Sequence, residues 1–345
     1  MGSLPSTSRL KELLSSQKIL VVGDLILDRY FWGTVERISP EAPVPVFDLK
    51  EITYSLGGSA NVAANLWGLK VKAYLMGVVG DDEKGEILIN LAKEKGIDTT
   101  GILKDPERPT TLKTRIIAQA QQLLRIDREE RKPLSSNLRR AFQEIYENLL
   151  PQVKGVILSD YAKGMFLHDG FCSWLIQEAR RQNLFVMIDP KSADWKKYEG
   201  ATTITPNLKE FREVLRRENL EETNFDKASE YLINKYQLDF LVVTLGKDGI
   251  YLYEPGKGGL RIPSQAREVY DVSGAGDTVI ASLSAFYACN LPLLEVIALA
   301  NICAGIVVGK VGTQPITFEE LEEFLNSNEG GFYGENNQCQ SKGDS

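Results

Sequence analysis

The chain has 345 residues, 43% hydrophobic and 25% charged, a composition that excludes disordered and fibrous classes and suits one large α/β domain or two smaller ones. Forty Lys+Arg against 47 Asp+Glu give a net charge of −7, which argues against non-specific nucleic-acid binding and makes an anionic substrate depend on a local basic patch. No apolar run reaches the ~20 residues of a membrane span, the N-terminus lacks the order of a signal peptide, and the four cysteines (172, 289, 303, 339) are scattered without a Cys-x-x-Cys pair, so the expected setting is the cytoplasm, with neither disulfide framework nor structural zinc.

In chain order, residues 1–17 read as an N-terminal extension, and Lys18-Ile19-Leu20-Val21-Val22-Gly23-Asp24 as a buried strand. The alternating, proline-bearing run 40–48 suits an edge strand. Helix-period segments at 59–69, 83–95, 136–149, 169–181, 208–217 and 225–236 are interleaved with apolar strand-like runs at 71–79, 155–160, 184–189, 202–205 and 240–246. Strands alternating with helices predict a doubly wound, mainly parallel sheet flanked by helices. Residues 111–119 and 121–128 instead form two alternating strands around a short turn near Ala120, with no helix between them, and read as part of a small antiparallel β-lid standing off the main sheet. Its segments are about 31–50 and 110–129. The single histidine, His168, sits before a helical segment and reads as a surface or helix-start residue. A helix over 279–288 follows, and after the stretch 317–326 the residues 327–345 read as a disordered Gly-, Asn- and Ser-rich tail.

Three segments carry chemistry. Asp271-Val272-Ser273-Gly274-Ala275-Gly276-Asp277-Thr278 opens an apolar helix, and its glycines let several N–H groups face one anion at a positive helix end. It is neither a P-loop, lacking Gly-Lys-Ser/Thr, nor a dinucleotide fingerprint, since Val279 replaces the third glycine. Asp277 either caps the helix or removes a proton from a group attacking a phosphate. Asn207-Leu208-Lys209-Glu210, at a strand end, fits a capping box and equally a nucleotide site where Glu210 orients magnesium through water; Lys191 in Asp189-Pro190-Lys191 either neutralises phosphate or is solvated. Gly57-Gly58-Ser59-Ala60-Asn61, with Asp24 and Asp28 beyond the first strand, offers close backbone approach plus the acceptors and donors a polyol needs, although Asp28 could equally cap a turn. In a doubly wound sheet the strand C-termini form one crevice, which brings the three together.

Together these residues resemble the ribokinase-like carbohydrate kinases, from about Lys18 to Glu322. Val22-Gly23-Asp24-x-x-x-Asp28-Arg29-Tyr30, Arg37-Ile38-Ser39-Pro40-Glu41-Ala42-Pro43-Val44-Pro45-Val46, Leu158-Ser159-Asp160-Tyr161-Ala162-Lys163-Gly164 and Glu268-Val269-Tyr270-Asp271-Val272-Ser273-Gly274-Ala275-Gly276-Asp277-Thr278 are similar to the branch that phosphorylates D-glycero-β-D-manno-heptose 7-phosphate at O1. The chain departs at Thr205, where many members carry Asn, and at Val272, where many carry Thr. The resemblance implies a kinase domain over 18–326, using ATP and Mg2+ in a step toward ADP-heptose for the lipopolysaccharide core. It implies Asp277 as base, Gly274, Ala275 and Gly276 as anion hole, Asn207, Glu210, Thr244 and Gly246 at the nucleotide, and Asp28, Gly57, Gly58 and Asn61 at the sugar. In an acidic chain, Arg115, Arg125, Lys163 and Lys191 are the candidates for the acceptor phosphate. Some relatives fuse a nucleotidyltransferase with a His-x-Gly-His motif, which a chain whose one histidine is His168 lacks; the expectation is that a separate protein adenylylates. Alternating apolar residues Val44, Val46, Ile116, Ala118, Leu124 and Ile126 predict a lid-to-lid homodimer. The alternatives are a kinase of another sugar or a nucleoside, and a non-catalytic nucleotide-binding regulator; the failed fingerprint disfavours a dehydrogenase.

Overall fold

The computed structural model describes residues 5–119, 121–168, 170–266, 269–310 and 312–327. The expectations for the turn at Ala120, the tail beyond Ser327, the helix start at Asp169, Glu268 and Cys339 therefore lie outside the described residues.

The N-terminal extension is structured: α1 (Thr7–Ser15) is capped by Ser6, and Leu10 and Leu14, one helical turn apart, are buried against the core. β1 (Lys18–Gly23) is buried from Ile19 onward, as a central parallel strand requires. The chain then leaves the sheet as β2 (Leu25–Ile38) and returns as β3 (Pro45–Gly58), passing into α2 (Ser59–Gly68), β4 (Lys72–Gly80), α3 (Glu83–Glu94) and β5 (Asp98–Asp105). A second excursion forms β6 (Thr111–Ala118) and β7 (Gln121–Arg128). Regular alternation resumes with α4 (Ser136–Leu149), β8 (Gly155–Ser159), α5 (Phe171–Arg181), β9 (Phe185–Asp189), β10 (Thr203–Ile204), α6 (Leu208–Arg217) and α7 (Phe225–Tyr236). Three strands, β11 (Leu241–Thr244), β12 (Ile250–Glu254) and β13 (Gly258–Ile262), precede helices α8 (Ala275–Ala288), α9 (Leu293–Val307) and α10 (Phe318–Ser327).

The main sheet has the order β10-β9-β8-β1-β4-β5, all parallel, with one apolar cluster on each face. The chain first builds outward from β1 through β4 and β5, then from β8 on the other side, so the direction of winding reverses at β1. The crevice at this reversal lies beyond the C-terminal ends of β1 and β8. Helices α8 and α9 are apolar on nearly all sides because α8 is buried beneath the sheet and α9 packs in turn between α8, α10 and β12.

Two expectations need correction. Residues 240–246 do not join the parallel sheet as an ordinary member: β11 pairs antiparallel with β12 and runs alongside the β10 segment, which it meets through the Phe240 N to Thr202 O and Thr244 N to Pro206 O hydrogen bonds and the isolated parallel bridge Asn207↔Thr244. The lid, ordered β3-β2-β6-β7, is mixed rather than purely antiparallel, because β2 and β6 run in parallel register from Ile26↔Thr111 to Gly33↔Ala118. Both strands leave the main sheet at the C-terminal ends of β1 and β5 and so travel outward in the same direction. As expected of a proline-bearing edge, β3 pairs only with β2, and Pro45 is its first residue.

Candidate active site

Asp277 stands in the first turn of α8 and is 3% exposed. Tyr161, in the loop after β8, donates its hydroxyl to Oδ1 at 2.5 Å, and Asn61 of α2 donates Nδ2–H to Oδ2 at 2.7 Å. Burial pushes this carboxyl up to about 6; the two hydrogen bonds and Lys113 pull it down, while Asp28 pushes it further up. The side chain caps nothing: the residue before α8 is Gly274, and no side-chain capping bond is present there.

Gly274 reaches this position with φ +80°, in the left-handed region, and a Cβ there would stand 2.9 Å from Asn61 Nδ2. A side chain would therefore be strained and would also push on the amide that holds Asp277. Ala275 and Gly276 begin the helix, and a Cβ on Gly276 would meet only open space. First-turn N–H groups and the positive helix end thus face a cleft of about 170 Å³.

That cleft is also lined by Asp160, Tyr161, Asp189, Lys191, Thr205, Asn207, Glu210 and Thr244. Asn207 and Glu210 form the capping box read from the sequence: Asn207 Oδ1 accepts from Glu210 N at 3.0 Å, and Glu210 Oε2 accepts from Asn207 N at 3.1 Å. The capping function does not exhaust Glu210, whose Oε1 pairs with Lys191 Nζ at 3.0 Å in the cleft. Burial, with the charges of Asp277 and Glu210, pushes the Asp189 carboxyl well above the usual carboxylate range, a group that favours its proton unless a cation approaches. Among the described residues, no three carboxylate, cysteine or histidine side chains converge as a metal cage. Gly246, with φ +63°, opens the turn after β11 and is exposed.

On the lid side, Asp28 Oδ1 accepts from Arg115 Nη1 at 2.7 Å, and the Arg115 guanidinium lies 5.3 Å from the Tyr30 ring centre. Tyr30 and Thr313 exchange hydrogen bonds, which ties the lid to the loop before α10. A Cβ on Gly57 would come within 2.5 Å of Asp28 Oδ2, so only glycine lets β3 run this close to the carboxylate. Gly58 precedes α2 and aligns with Leu25 across β2 and β3.

The structure thus brings Asp28, Gly57, Gly58, Asn61, Arg115, Gly274, Gly276 and Asp277 to one end of the crevice. It sets Lys191 and Arg125 apart from this group, while Lys163 neighbours Lys113 of β6. Lys191 follows β9 and lies with Glu210 in the cleft, whereas the lid strands β2 and β6 leave from the ends of β1 and β5 on the other side of β8. Arg125 is on the outermost strand, paired with Asp127 at 2.9 Å, and Lys163 is engaged by Glu129. Asp24, read as a polyol contact, instead holds backbone, its carboxylate accepting the N–H groups of Tyr161, Lys163 and Met165. Sequence reasoning missed Lys113, whose register places it beside Asp28 on the lid and whose Nζ lies 5.4 Å from the Tyr161 ring centre. Burial and the neighbouring Lys163 and Arg115 lower its pKa. Alternation along 111–119 could have flagged it, since it shares a face with Arg115. His168 is exposed ahead of α5, as expected.

The profile of the pfkB family of carbohydrate kinases matches residues 16–320. Two curated relatives are the bifunctional protein HldE of Helicobacter pylori (strain HPAG1), 45% identical over 310 residues, and that of Methylobacillus flagellatus, 48% identical over 310 residues. Each alignment takes in 90% of this chain but 66% and 63% of the relative, so the chain spans just under two thirds of their length. Among solved structures, phosphofructokinase-2 from Escherichia coli in complex with potassium superposes with a TM-score of 0.73 at 17% identity, covering 91% of this chain and 99% of that one. Ribokinase from Thermotoga maritima gives 0.69 at 21%, covering 90% and 99%. At such identities these two establish the shared fold alone. With a glycine-rich helix start, a buried aspartate and a strand-built lid arranged around one crevice, and with the profile matched over most of its length, the chain belongs to the pfkB family of carbohydrate kinases.

Proposed function

We propose that this protein transfers the γ-phosphoryl group of ATP to O1 of D-glycero-β-D-manno-heptose 7-phosphate, giving the 1,7-bisphosphate and ADP in the cytoplasm. The observation that carries the reaction type is Asp277, buried between the helix start that favours anions and the lid-side group of Asp28, Asn61 and Arg115. The preference for a heptose rests on the four sequence motifs and on the relatives' 45–48% identity.

In this reading the acceptor hydroxyl lies against the free lone pairs of Asp277. Its proton moves to the carboxylate as the O1–Pγ bond forms and the bond from Pγ to the bridging β,γ-oxygen breaks, releasing ADP. Backbone N–H groups of Gly274, Ala275 and Gly276 hold charge on the transferring group. Asn207, Thr244 and Gly246 border the nucleotide, and Lys191 neutralises its phosphates. Glu210 through water, with Asp189 nearby, would hold magnesium, which when bound supplies neutralising charge on the phosphates. Asp28, Gly57, Gly58 and Asn61 receive the sugar hydroxyls. Of the cations proposed for the acceptor phosphate, Arg115 is best placed; Lys163 follows if Glu129 releases it, and Arg125 requires movement of the edge strand.

The lid supports a homodimer. Ile52, Phe31, Ile116 and Leu124 align across its four strands on one face, and Ile52 and Leu124 are 44% and 54% exposed. Such a row is shielded from water when two lids clasp. Nucleotidyl transfer to the product is assigned to a separate catalytic unit.

An acceptor panel tests the proposal. With ATP and magnesium, ADP release is measured for heptose 7-phosphate, fructose 6-phosphate, ribose and nucleosides. The expected result is the highest kcat/KM for heptose 7-phosphate. A better acceptor elsewhere in the panel would reassign the substrate.

A further inference from the structure

We infer that Tyr161 is a positioning residue for the base: its hydroxyl fixes the orientation and basicity of the Asp277 carboxylate, and the loop carrying it is built to hold it there. The inference rests on the proposed role of Asp277.

The loop is pinned at unusual structural cost. Asp24, 6% exposed, spends its carboxylate on three successive odd-numbered N–H groups, of Tyr161, Lys163 and Met165, at 2.9–3.0 Å. Asp160, 3% exposed, accepts from Ala162 N at 2.8 Å, Lys197 Nζ at 2.5 Å and Tyr198 Oη at 2.6 Å. Between them, Ala162 adopts φ +54°, which a non-glycine residue holds only when its surroundings impose it. A connection that merely joined β8 to α5 would need none of this. The result is a tyrosine hydroxyl delivered to Asp277 Oδ1 at 2.5 Å.

Burial and neighbouring aspartates raise the Tyr161 phenol well above its ordinary range, so it remains a donor across the working pH. Other groups bear on Asp277 from each side: Asn61 on α2, Asp28 on β2, Lys113 on β6 and Asp189 at the end of β9. Tyr161→Phe leaves all of these in place, and it keeps the ring over which Lys113 sits. It removes only the donor. Losing a hydrogen bond to the charged form makes the carboxylate more basic.

The test is the pH dependence of kcat/KM from pH 5 to 9 for the wild type and Tyr161→Phe, using whichever sugar phosphate gives turnover. The acid limb should move up by about half a unit or more, so that the deficit is about twofold or more larger at pH 6 than at pH 8.5. A loss equal at every pH, as a merely structural role would give, or an unmoved limb, overturns the inference. Asp277→Asn is measured alongside: if it retains substantial turnover, the base assignment falls first, whereas an inactive Asp277→Asn with an unmoved Tyr161→Phe limb refutes the role of Tyr161 alone.

Discussion

Asp277→Asn separates catalysis from stability in a way that follows from the environment of the carboxyl. Burial raises the group from 3.8 to about 6 despite two hydrogen bonds. A raised acid binds its proton more tightly folded than unfolded, so its contribution is favourable below the unfolded value and is lost as pH rises through about 6. At neutral pH the folded protein therefore carries an ionised carboxylate at a cost of about 3 kcal/mol, from roughly two units at 1.36 kcal/mol each. Asn removes that cost and still offers an oxygen to Tyr161 or Asn61. Chemical denaturation should show the variant more stable than the wild type at pH 7.5, by up to about 3 kcal/mol, with the gap closing toward pH 4. Turnover should fall about 10²–10⁴-fold, the range for a lost general base. In the wild type, kcat/KM should rise with pH through about 6 and then level, because the base must be ionised. A variant that keeps more than about a tenth of wild-type kcat would refute the base assignment. One destabilised at pH 7.5 would refute the account of its burial.

Glu210→Gln keeps an oxygen for the Asn207 N–H and removes the charge facing Lys191, so a magnesium titration should shift to higher concentration while the melting curve stays put; an unchanged titration would return Glu210 to helix capping alone. Ile116→Asp places a charge in the apolar row of the lid, and sedimentation should show dimer shifting to monomer; a wild-type monomer at micromolar concentration would defeat the clasped-lid reading. Arg115→Ala leaves the Asp28 carboxylate, 3% exposed, without its ion-pair partner, and should cost about 3 kcal/mol of stability and raise the acceptor KM with little change for ATP; a selective rise in the ATP KM would place Arg115 on the wrong side of the site.

What could be read from the sequence was what local pattern encodes. The helix over 208–217 and its capping box follow from Asn207 and Glu210 being three residues apart, and the structure has both. The lid's edge strand follows from its prolines, and the anion-favouring helix start from glycines before an apolar run. Burial determined more than pattern could. α9 has no polar face to mark its period, and β2 looks unlike a strand because it passes from core to solvent along its 14 residues. Side-chain roles were the least legible. Asp24 and Asp28 are four residues apart and chemically alike, yet one pins a loop while the other faces Arg115 and the crevice. Tyr161, 116 positions from Asp277 in sequence, meets it only because β8 ends and α8 begins at the same crevice. Spacing along a chain specifies which residues share a face. Which buried carboxylate is met by a backbone amide, a guanidinium or a phenol depends on the contacts between distant segments, and only the folded chain supplies those.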